Sequence, residues 1–342
     1  MMGLTHRRDA RLGSQRSENV LASAMRDQVN RHVVEGELNP FIRYNPMLPV
    51  MQWYNGYKMD RYISKELDER YHEWRSTTSK AKAKSVIDLA LADYMRGRSA
   101  GAILDPEFKA WACAQIRLFL FVGHDSTAAT IVYCYYLLSK NPDTLRRVRA
   151  EHESVFGTDF SNTAQLLVDR PQLANQLPYT TAVIKEALRL FPPAASFRGG
   201  RSDAFLRGTN GQRYPTDGFG VWVIHDAIHR HPDYWPKPDA FLPERWLVGP
   251  DHPLYPQKYA WRPFEFGSHN CIGQTLVMLD IKVTLLMTLR EFDIKDAYNE
   301  WDKLHPSKDI QTVHGERAFQ VAKGSAHPAD GFPCRVYFRR SA

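Results

Sequence analysis

The 342-residue sequence contains only four cysteines, Cys113, Cys134, Cys271 and Cys334. They are widely spaced and none forms a Cys-x-x-Cys pair, which argues against a zinc ribbon and suits a reducing compartment. No apolar run occurs at the N-terminus (MMGLTHRRDARLGSQRSENV), so it reads as neither signal peptide nor anchor. Zinc-finger spacing and RNA-binding aromatic motifs are missing, and no nucleic-acid partner is expected. Repeats and low-complexity tracts are absent as well. Charge of one sign is not in large excess: 45 Lys and Arg against 38 Asp and Glu leave a formal net charge of +7. Arg146, Arg147 and Arg149 alternate with Glu151 and Glu153, as on a solvated helix face. The sharper alternative is a docking face for an acidic protein.

Long apolar runs are scarce. Only Leu118–Leu138 approaches a membrane span, and it carries Gly123, His124, Asp125, Ser126 and Thr127 at its centre. An Asp at mid-bilayer costs about 2.5–3.5 kcal/mol on insertion scales, so a buried helix with a polar notch fits better. What the chain does have is ample core material, 43% hydrophobic and 12% aromatic, in a globular balance. Helical rhythm fills residues 18–100 except for the proline-broken Asn39–Trp53, where no helix is expected. Asp105-Pro106-Glu107 is a helix start, and no strong breaker follows until Asn141-Pro142. The resulting helix, about 50 Å long at 1.5 Å per residue, has no heptads and must run through the middle of a large domain. Further helices are expected over Asp143–Phe156, over Tyr179–Leu190, and from just after Cys271 to Arg290. Two short strands around a Gly-Thr-Asn-Gly turn fit residues 203–225, and two more fit Phe319–Arg339 around Gly324–Gly331. The fold class is mainly α with small β-sheets.

The segment Phe264-Glu-Phe-Gly-Ser-His-Asn-Cys-Ile-Gly273 sits immediately before a helix. A cysteine at a helix N-terminus meets unpaired N–H groups and the positive dipole end, which favours thiolate. Gly267 and Gly273 remove side chains on either side, so that backbone can approach something large and flat. Phe264 supplies an aromatic wall, and His269 can donate to an anionic group at the same edge. Together these suit a metal macrocycle better than an inert buried thiol.

The segment resembles the heme-binding signature of the cytochrome P-450 family, Phe-x-x-Gly-x-Arg-x-Cys-x-Gly, with His269 standing where Arg is commonest. The resemblance implies heme b with Cys271 as the axial thiolate. Three other stretches carry it further. Glu186-Ala-Leu-Arg189 places Glu and Arg on one helix face; read alone this is a surface pair, but the helix is otherwise apolar and the pair should be buried with further partners. It matches the family's Glu-x-x-Arg, and Pro243-Glu-Arg-Trp246 matches its Pro-Glu-Arg-Trp, which implies a structural network of Glu186, Arg189 and Arg245. Val122-Gly-His-Asp-Ser-Thr127 resembles the oxygen-activation motif, with Ser126 at the usual Thr position and Val122 at a usually small one. Asp125 and Ser126 would handle protons and oxygen; Thr127 lies about 100° further round the helix. Phe191–Arg198 resembles the segment that lines the substrate pocket and brings a basic residue, here Arg198, to a heme propionate.

The resemblance therefore implies one cytochrome P-450 domain over 1–342, lacking the family's N-terminal part, with its oxygen-binding helix at about 106–139, ion-pair helix at about 179–190 and cysteine loop at 264–273. It implies a monooxygenase acting on an apolar small molecule, with O₂ and an NADPH-dependent flavoprotein reductase as partners. Ala194, Ser196, Phe197, Val122 and part of Ser325–Pro328 would shape the pocket. Local variants around Trp261 and Cys271 look like those of fungal secondary-metabolite enzymes, which points to a polyketide or terpenoid. A full-length form would sit on the cytosolic face of the endoplasmic reticulum. The competing expectations are a non-catalytic remnant that binds heme weakly or not at all, and isomerisation or dehydration without O₂. His225, His229 and His231 are given no catalytic role.

Overall fold

Met59, Ile63, Leu67 and Tyr71 recur every fourth residue and are all buried, the spacing that lays one stripe along a helix. They belong to α2 (Met47–Ser76), the longest element of the first of two compact units, Met1–His124 and Asp125–Ala342. The computed structural model describes residues 19–31, 41, 44–76, 85–96, 98, 103–306 and 310–339. In the first unit, α1 (Val20–Asn30) starts where Asn19 Oδ1 accepts the Leu21 N–H at 2.8 Å. Ser85 caps α3 (Val86–Tyr94) in the same way. Ile87 and Leu91 of α3, and Ala112, Cys113 and Ile116 at the start of α4 (Pro106–Lys140), close this core around the α2 stripe.

α2 begins inside the stretch expected to exclude helix. Pro49 is its third residue, and the first N–H groups of a helix have no intrahelical partner to lose. Asn45 Oδ1 accepts the Met47 N–H at 2.9 Å and sets the start.

In the second unit the rest of α4 packs with α5 (Pro142–Phe156), α7 (Pro178–Leu190) and α9 (Gln274–Leu289). Cys134, Leu137 and Leu138 meet Val183, Ile184 and Leu188, and Ile281, Leu285 and Leu289. The Tyr133 ring stacks on Phe191 with centroids 4.1 Å apart. Shorter helices are α6 (Thr163–Asp169), α8 (His225–His229) and α10 (Tyr298–Leu304). Among the described residues no helix is long and apolar enough to cross a membrane.

Among the described residues the strands form four antiparallel pairs that differ from the expected hairpins. β2 (Phe205–Arg207) closes on β3 (Arg213–Pro215). β4 (Gly220–Val223) pairs instead with β1 (Ser196–Gly199). β6 (Gln320–Lys323) turns tightly at Gly324, where φ is +84°, into β7 (Ser325–Pro328). β8 (Cys334–Phe338) leaves to pair with β5 (Phe292–Asp296). The turn signals were legible, but a strand's partner depends on what the core brings alongside it. The basic helix face is also partly structural: Arg149 is tied to the Leu289 and Phe292 carbonyls and to Asp293.

Candidate active site

Cys271 lies exposed on the loop before α9, whereas Cys113 and Cys134 are buried. Burial pushes the Cys113 thiol up and the Cys134 thiol to about 12, which makes both inert. The Cys271 N–H donates to the Phe264 carbonyl at 2.8 Å. Between them Gly267 adopts φ +74°, a left-handed conformation that favours glycine. A Cβ at Gly267 would meet no protein atom within 4 Å, so within the protein itself the glycine is required by its backbone angle. A Cβ at Gly273 would lie 3.8 Å from Cys271 Sγ, an ordinary contact. His269 is exposed with Nδ1 3.1 Å from Ser268 Oγ, and Ile272 is 90% exposed.

Behind this loop stands a set of buried and half-buried polar residues that the motifs did not single out. Glu265, at φ +58°, bonds His225 Nε2 at 2.9 Å and accepts from Arg262 at 2.7 Å. Burial raises the Glu265 carboxyl, but hydrogen bonds from His225, Arg262 and Ser196 outweigh it and bring it down to about 2. His225 Nδ1 bonds the Ala194 carbonyl at 2.8 Å. Both ring nitrogens thus face oxygen acceptors. Four residues on, His229 Nε2 accepts the Arg262 N–H at 2.8 Å while Nδ1 donates to the Arg189 carbonyl at 3.1 Å. Burial, helped by His225, lowers His229 to about 3 and keeps it neutral. α8 therefore fastens the cysteine loop to the segment before β1 and to the end of α7. Nothing in the sequence links positions forty apart, so these histidines could not be found there.

Glu186, Arg189 and Arg245 meet at 0% exposure. Arg189 donates to Glu186 at 3.0 and 2.8 Å, and Arg245 donates at 3.0 Å. Trp246 Nε1 and the Leu242 N–H complete the carboxylate. Further guanidinium hydrogens go to the carbonyls of His229, Pro238, Ala240, Pro236 and Lys237. A buried ion cluster is tolerable only when satisfied in this way.

On α4, Asp125 accepts the Ser325 N–H at 2.5 Å and bonds His327 Nε2 at 3.0 Å. Ser126 is half-buried and Thr127 buried, and the Ser126 carbonyl accepts from Thr130 Oγ1 at 2.8 Å. Arg198 donates to Ser196 Oγ at 2.5 Å and to the Phe197 carbonyl at 2.9 Å, so holding a propionate would require it to leave these partners. Ser196 is buried, and Phe197 and Val122 are exposed. The Ala326 N–H donates to the Pro193 carbonyl at 2.8 Å, which brings β7 beside the segment expected to line the pocket.

The donor set fits heme: an exposed thiol on a glycine turn, exposed apolar groups beside it, and His269 and Arg198 as cation-capable partners for propionates. The chain matches the family described as Cytochrome P450 over residues 14–321. It is 42% identical over 333 residues to the cytochrome P450 monooxygenase polC of Polytolypa hystricis, covering 96% of this chain and 59% of that one. It is 33% identical over 314 residues to the cytochrome P450 monooxygenase acrF of Aspergillus aculeatus, covering 86% of this chain and 63% of that one. The chain thus spans about three-fifths of the length of these two relatives. With a family match across most of its length, and with Phe264, Gly267, Cys271 and Gly273 on one loop before α9, the chain belongs to the cytochrome P450 family.

Proposed function

We propose that the chain is a heme-thiolate monooxygenase that inserts one oxygen atom from O₂ into an apolar small molecule, with Cys271 as the iron ligand. The observation that carries this reading is the exposed cysteine on the Gly267 turn at the start of α9. Bound heme would supply reductive activation of O₂. Cys271 would donate its thiolate to the iron, and the Phe264 carbonyl and Gly267 turn would hold it in place. His269 and Arg198 would hold the propionates. Asp125 and Ser126 would handle protons and oxygen. Glu186, Arg189 and Arg245 would keep the supporting core rigid. Electrons would come from an NADPH-dependent flavoprotein reductase. The fungal relatives support a secondary metabolite as substrate, and the local variants around Trp261 and Cys271 point to a polyketide or terpenoid.

The test is the reduced, carbon monoxide-bound difference spectrum of the purified chain, with Cys271→Ala beside it. The expected result is a Soret band at the long wavelength of thiolate-ligated heme, lost in the variant. A wild-type chain that takes up no heme would replace this reading with that of a non-catalytic member.

A further inference from the structure

The β6–β7 hairpin holds Asp125 by both carboxylate oxygens. The Ser325 N–H takes Oδ2 at 2.5 Å and His327 Nε2 takes Oδ1 at 3.0 Å. Ser325 Oγ lies 3.1 Å from the same ring nitrogen. The hairpin that presents His327 is itself anchored. The Ala326 N–H donates to the Pro193 carbonyl at 2.8 Å, and Gln320 Nε2 donates to the Pro192 carbonyl at 3.0 Å. Exposure differs across the pair, 13% for the Asp125 side chain and 25% for that of His327. The imidazole therefore stands between a largely covered carboxylate and water.

An ionised carboxylate only accepts, so the ring nitrogen facing it carries hydrogen. Of the two groups on Asp125, the Ser325 amide cannot give up its proton. An imidazole can release one from Nε2 after taking one at Nδ1. We propose that His327 is a positioning residue for Asp125, which aims the carboxylate and renews its proton from solvent. The proposal rests on the reading of Asp125 as the proton-delivering group. In the relay, water protonates Nδ1, the Nε2 proton passes to Asp125 Oδ1, and the ring is left neutral as the Nδ1–H tautomer. It resets by exchange with solvent. One proton moves inward and no electron changes hands.

Two substitutions separate aiming from supply. His327→Gln keeps an N–H donor toward Asp125 but cannot relay a proton, and His327→Leu removes both. With NADPH, a flavoprotein reductase and no organic substrate, O₂ consumption is expected to fall about tenfold in both variants. The solvent deuterium isotope effect should rise in both. Reduction of the heme under carbon monoxide should keep its wild-type rate, which a merely disrupted fold would not. His327→Gln turning over O₂ like wild type would overturn the supply of protons by His327. A second readout needs no turnover. With ¹⁵N-labelled histidine, His327 is expected as the Nε2–H tautomer, its resonance shifting in Asp125→Asn. A ring protonated only at Nδ1 and insensitive to that substitution would overturn the contact. Because this signal can be read with or without bound heme, failure to bind heme would sink the functional reading and leave the His327 result standing on its own.

Discussion

Glu186 lies at 0% exposure among two guanidiniums and an indole. Removing it leaves Arg189 and Arg245 buried without a counter-charge, a change that typically costs about 3–5 kcal/mol. Glu186→Ala is expected to lower the urea-unfolding free energy by that amount; a loss below about 1 kcal/mol would mean water has taken the carboxylate's place. The burial of Glu186 with Arg189 was legible because an ionisable pair on an apolar helix has to be buried with partners, and Arg245 as the third member came from the family resemblance. His225 and His229 show the limit of such reasoning. They stand four residues apart on a helix of five residues, yet one lies between two oxygen acceptors and the other is a neutral donor and acceptor. Their surroundings come from Ala194, Arg189, Arg262 and Glu265, all distant in the chain.

At the scale of elements, the cysteine loop depends on one backbone angle. Gly267 sits at φ +74° with open space where a Cβ would be. Alanine there meets no obstacle but adopts the left-handed region at a cost of roughly 1–2 kcal/mol. Gly267→Ala is expected to release heme to apomyoglobin several-fold faster than wild type, while Gly267→Asn, whose side chain tolerates that region, should lie between the two. Equal rates for all three would show that the turn does not hold the ligand. The other elements divide by the kind of signal that specifies them. Helix α4 could be read from Asp105-Pro106 and the lack of breakers, since caps and periodicity are local. The strand pairs could not. β1 with β4 and β5 with β8 join segments 20 and 40 residues or so apart, and register at that range is set by packing. Pro49 inside the first turn of α2 marks where a local rule was applied too broadly.

For the whole molecule, acid stability can be worked out from two buried histidines and the half-buried Glu265. His152 and His229 are both lowered to about 3, chiefly by burial. Unfolded, each would titrate near 6.5, so the unfolded chain binds more protons below that pH. Their neutral burial therefore stabilises the fold fully above about pH 6.5, and that contribution drains away as pH falls toward 3. Glu265, lowered to about 2, adds a second loss between about 4.5 and 2, on the order of 3 kcal/mol. The melting temperature is expected to decline from pH 6.5 downward and more steeply below 4.5. His152→Gln should flatten the upper part of the slope and Glu265→Gln the lower; a melting temperature level from pH 7 to 4 would contradict this account. Sequence by itself determined the helix-rich class, the cysteine loop and the paired acid and base motifs, because caps, periodicity and spacing act over a few residues. Tertiary structure alone decided which polar group meets which. Asp125 with His327, Glu265 with His225 and His229 with Arg262 are contacts between segments 33 to 202 residues apart, and only the packing of the core brings such segments within hydrogen-bonding reach.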